Sequence, residues 1–124
     1  MGHESFDVAF AYIECDLAIM HIHDTFTRSR MMVERLLEPV HLGKRMATLF
    51  RNHLSTSIPA AIVEYGRNGY LEGIDALVKL ELLDEGNIDE ALDAAIAAGE
   101  VAVVSRLTEV KRSCFDMPLF DFDL

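Results

Sequence analysis

Apolar residues recur at helical spacing along almost the whole chain. Phe6, Phe10, Ile13, Leu17 and Met20 follow one another at alternating four- and three-residue steps, which places them on one stripe of a 3.6-residue helix. This reading predicts a long first helix over 5–37 with a bend near Thr25, where Thr25–Ser29 are poor helix formers and the apolar phase drifts. Glu38-Pro39 ends it, because the residue before proline is driven out of the helical region. A second helix is expected over 39–54 with Val40, Met46, Leu49, Phe50 and Leu54 inward. Ser55–Pro59 reads as a loop with an N-cap, placing Pro59 in the first turn of a third helix that ends at Gly66-Arg67-Asn68-Gly69.

Beyond Gly69 the pattern is more regular. Leu71, Ile74, Leu77, Val78 and Leu82 predict a helix over 70–83, stopped by Asp84-Glu85-Gly86. Asn87 is expected to cap a helix over 88–98, with Glu90 as its capping-box partner and Gly99 as its end. The last helix spans 100–112, where Lys111 and Arg112 complement its dipole. No stretch before the tail has the β-branched alternation and turn pairs of a sheet. The expected fold is therefore all-α: a compact bundle of five or six helices in one domain over 1–112, with an extended tail over 113–124.

Setting Gly69 on Gly99 pairs Leu71 with Val101, Ile74 with Val104, Leu77 with Leu107 and Leu80 with Val110, a helical-hairpin repeat of about thirty residues. GYLEGIDALVK and GEVAVVSRLTEV resemble the second helix of ankyrin repeats. The TPLH-type turn of that family is missing and only two units exist, so the chain is not assigned to it.

With 51% hydrophobic residues, 124 positions suffice for a single core. No apolar run approaches a membrane span and no basic cluster precedes an apolar run as in a secretory signal, so a soluble, cytoplasmic protein is expected. Cys15 and Cys114 lack metal or redox spacing and read as reduced, buried thiols. The net charge of −10 is uneven: residues 1–63 hold seven acids against six bases, residues 64–124 fourteen against five. The acidic half argues against a nucleic-acid ligand, whose binding rests on neutralised phosphates. All six bases of the first half lie between Arg28 and Arg51, where they form a solvated face or meet acidic surface.

Three kinds of pattern bear on chemistry. His21, His23 and Asp24, and Glu38-x-x-His41, have ligand-like spacing, but residues two apart on a helix point about 200° apart, and a di-iron bundle needs two Glu-x-x-His motifs. No metal or cofactor is expected. His41-Leu-Gly-Lys44-Arg-Met-Ala47 is similar to the His-x-x-Lys-x-x-Ala core of histidine-phosphotransfer domains. That resemblance would make His41 the phosphoacceptor and Lys44 its helper, although Arg45 stands where the family has glycine. Arg51-Asn52 is similar to the Arg-Asn of helical ribonuclease toxins, whose later histidine has no counterpart beyond His53. No nucleophile elbow or phosphate-binding glycine loop occurs.

The tail alternates large apolar residues with aspartates, and Pro118 opposes helix. Phe115, Met117, Leu119, Phe120 and Phe122 are its candidate partner-binding residues, either in a partner's groove or folded back on the chain's own core. Asp116–Phe120 resembles the Gln-Leu-x-Leu-Phe peptide that binds the bacterial sliding clamp, with aspartate replacing glutamine. The function these features favour is a non-enzymatic regulatory or adaptor protein. It would act through protein–protein contacts as a homo-oligomer, on a partner with a basic surface. A phosphorelay module using His41 is the alternative.

Overall fold

Helix signals and chain breaks give seven α-helices, and no strand, among the described residues of the computed structural model. It describes residues 2–115, with side chains from residue 11 onward. The chain divides into two units, Met1–Thr56 and Ser57–Leu124.

In the first unit α1 covers Gly2–Ile19, α2 Thr25–Leu37 and α3 Lys44–Ser55. The expected helix over 5–37 is thus two helices. The chain leaves α1 through tighter i to i−3 bonds, Met20 N–H to Leu17 O and His21 N–H to Ala18 O. Asp24 then starts α2, its carboxylate accepting from the Thr27 N–H at 2.9 Å. α1 packs on α2 and α2 on α3. Ile19, Met32, Val33, Phe50 and Leu54 are buried.

Among the described side chains of α1, the buried side is not the predicted stripe. Ile13 and Leu17 are 47% and 50% exposed, whereas Asp16 and Ile19 are buried. The cause is an ion pair to α2, described below, which draws in the Asp16 side of the helix. Pro39 does not open a helix either: Pro39–Gly43 is a connection in which His41 has φ 55°, and the helix begins at Lys44.

The second unit contains α4 (Ile58–Arg67), α5 (Glu72–Lys79), α6 (Ile88–Ala98) and α7 (Val101–Ser113). Pro59 stands in the first turn of α4, as its sequence position predicts. The thirty-residue repeat is visible in the backbone, since α4 and α6 start at Ile58 and Ile88 and end in the same motif. Gly69 and Gly99 both have left-handed φ, 68° and 71°. The next amide folds back five residues, Tyr70 N–H to Tyr65 O at 2.8 Å and Glu100 N–H to Ala95 O at 3.0 Å. The two hairpins stack, α4 on α6 and α5 on α7.

Close approach between the hairpins relies on glycine at one point. A Cβ on Gly66 would meet Val103 Cγ2 at 2.4 Å and Glu100 Oε2 at 3.0 Å. The core of this unit includes Ile62, Tyr65, Ile74, Leu77, Leu83, Ile88, Ala91, Ala95, Val103 and Leu107. Asn87 takes the N-cap position of α6 without capping through its side chain. Its amide instead closes the preceding turn, accepting from Asp84 N–H and donating to Leu82 O, both at 2.9 Å.

Candidate functional site

A cleft of about 340 Å³ opens in the first unit, lined by Tyr12, Cys15, Asp16 and Ile19 of α1, Met31, Glu34 and Arg35 of α2, and Glu38 and Val40. Its floor is one cation. Arg35 Nε and Nη2 donate to the two carboxylate oxygens of Asp16 at 2.6 and 2.9 Å, a bidentate pair in which Asp16 is only 1% exposed. Nη1 donates to Glu38 O at 3.1 Å and Nη2 also to Val40 O at 2.9 Å. The guanidinium lies 4.8 Å over the Tyr12 ring, and that ring stands 5.4 Å from His41. Hydrogen bonding to Asp16 holds Arg35 still further from deprotonation than an ordinary arginine.

These contacts engage all three guanidinium nitrogens and one face of the group. An anionic ligand would have to displace Asp16, and a buried carboxylate without its cation is costly. Arg35 is therefore a staple joining α1 to the α2–α3 connection. Neither residue emerged from the sequence reading. In the sequence Asp16 is one of four acids of α1, with Glu4, Asp7 and Glu14, and nothing in its spacing singles it out.

His41 and Lys44 are both exposed, but His41 lies in a left-handed turn and Lys44 opens α3. The two do not share the helical turn on which the phosphotransfer family presents its histidine and lysine. The bases between Arg28 and Arg51 do not form one free face. Arg28 donates to Ile22 O at 2.8 Å and to His53 Nε2 at 3.2 Å, Arg30 pairs with Glu34, and Arg35 is internal. Lys44 and Arg45 remain exposed at the start of α3. His53 is held below the ordinary histidine range, first by burial and then by the Arg28 charge.

Both thiols differ from the expectation of burial. Cys15 and Cys114 are exposed and free, one on α1 at the rim of the cleft and the other at the C-cap of α7. Among the described residues no three His, Cys, Asp or Glu side chains group as metal ligands, and no helix is long and apolar enough to cross a membrane.

The acidic surface is a distinct feature of the second unit. Glu81, Asp84, Glu85, Asp89, Glu90 and Asp93 are all exposed along the α5–α6 turn and α6. Asp89 pairs with Lys111 at 2.7 Å. Of the predicted tail residues, Phe115 follows the α7 cap and is half-buried, whereas Met117, Leu119, Phe120 and Phe122 lie outside the described residues. Compared with protein-family models, with curated proteins and with solved structures, the chain matches none of them.

Proposed function

We propose that this protein is a non-enzymatic regulatory or adaptor protein that works through protein–protein contacts, with the acidic surface of its second unit and its C-terminal tail as contact surfaces. The observation that supports this most is the run from Glu81 to Asp93, six exposed acids with no base among them. A surface of one sign steers and selects a partner of the other sign, so the partner presents a basic face. Homo-oligomer formation belongs to the same reading.

The test is proximity labelling in the native cell with the wild-type chain and with an Asp84→Asn/Glu85→Gln/Glu90→Gln/Asp93→Asn variant. The expected result is a labelled partner with a basic surface that the variant loses while remaining folded, with a melting temperature no lower than that of the wild type. An unchanged set of labelled proteins would remove the acidic surface from the proposal.

A further inference from the structure

The repeat in the second unit identifies a face that has no counterpart among the described residues. In the first hairpin, Gly66 lies against Val103 and Glu100 of the second hairpin, Ile74 is fully buried, and Leu71 is half-buried. Thirty residues on, the corresponding positions of the second hairpin hold Ile96, Val104 and Val101. Ile96 and Val101 are 59% and 78% exposed, the two most exposed large apolar side chains of the described residues. A repeat buries its stacking face only when another element follows it.

We infer that the chain's own residues 116–124 cover this open end of the α6–α7 hairpin. Three observations favour that occupant. The segment falls where the next element of the stack would begin, since first helices start at Ile58 and Ile88, and it supplies Leu119, Phe120 and Phe122. Its reach is sufficient. The Lys111–Asp89 ion pair puts the end of α7 beside the start of α6, so Ile96 lies roughly 10 Å along α6 from the point of departure. Nine extended residues span up to about 30 Å.

Tethering is the third observation. Joined directly after α7, the segment outcompetes a free second copy, because short linkers give effective concentrations in the millimolar range. This goes beyond the adaptor reading: the face is where the tail rests in the free chain, and a partner that takes the tail must first lift it away.

The test is a cycle of four full-length proteins: wild type, Ile96→Gln, Leu119→Ser/Phe120→Ser/Phe122→Ser, and the combination, each followed by thermal melting and by mass in solution. Ile96 is largely exposed to solvent and glutamine is a good helix former, so an uncovered Ile96 would tolerate the change. The expected result is a fall in Tm of about 5 °C for each variant and no further fall for the combination, with one mass throughout. Additive falls, or no effect of either variant, would overturn the inference. A mass that halves with Ile96→Gln and not with the tail variant would assign the face to a second copy instead. None of these readings requires a partner, so the fate of the acidic surface is decided separately.

Discussion

A histidine that must stay neutral makes stability depend on pH. His53 Nε2 accepts the Arg28 Nε–H at 3.2 Å, and burial and the Arg28 charge lower its pKa in the folded chain. As pH falls, the unfolded chain takes up this proton first. The contribution is complete above the unfolded value of about 6.5 and is lost as pH drops from there through the lowered folded value. Unfolding free energies at about pH 7.5 and about pH 5.5 should therefore differ in the wild type, with less stability at the lower pH, and should differ less in His53→Gln. Asp24 is also lowered, by the Thr27 bonds, but as an aspartate it titrates below this window. Single residues were the level least legible in the sequence. Arg35 counted there as one of six bases, and only the fold shows both its Nε and Nη2 on a buried carboxylate.

At the level of elements, legibility follows the density of local signals. α6 lies over the predicted 88–98, and α4 and α7 agree to within a residue or two, because Pro59, Gly69 and Gly99 act through their own backbone preferences. The first segment reads as one bent helix because no proline or glycine interrupts it between Phe6 and Leu37; the drift of apolar phase near Thr25 marks the place where Asp24 opens α2, but drift alone does not tell a bend from a break. Glu81 was invisible for a different reason. It ends α5 with φ 62°, and Leu82 N–H folds back to Leu77 O at 2.9 Å, the same closure that glycine serves at Gly69 and Gly99. Glutamate carries no sequence signal for that conformation. Glu81→Gly should raise unfolding stability by about 0.5–1 kcal/mol, and Gly99→Ala should lower it by about 1 kcal/mol, both by denaturant titration. A gain in the second or a loss in the first would mean that the left-handed turns are not what limits these helix ends.

For the molecule as a whole, the charge distribution sets the response to salt. The second half holds fourteen acids against five bases, and the ion pairs of its described residues, such as Arg106–Asp75 at 3.4 Å, lie at the surface. Like-charge repulsion of this kind weakens as the screening length shortens. Raising sodium chloride from about 0.02 M to about 0.3 M should therefore raise Tm by a few degrees, and the Asp84→Asn/Glu85→Gln/Glu90→Gln/Asp93→Asn variant should show a smaller rise. A wild-type Tm that falls with salt would show that attractive pairs outweigh the repulsion. The all-helical class was plain from periodicity, and the acidic half from counting. The arrangement in two units was not, because the short Thr56-Ser57 connection resembles the other loops.

The thirty-residue spacing of α4 and α6 also bears on how this polypeptide can change its length. Because Asn87 follows Gly86 at the seam between hairpins, an in-frame copy of one whole period inserted there would bring its own cap, its own left-handed glycine and its own stacking side. Such a lengthened chain would keep every existing hairpin intact, whereas a gain or loss of ten or fifteen residues at the same seam would leave a helix without its pair. Growth and shrinkage of this half are thus quantised, and the permitted step is one hairpin.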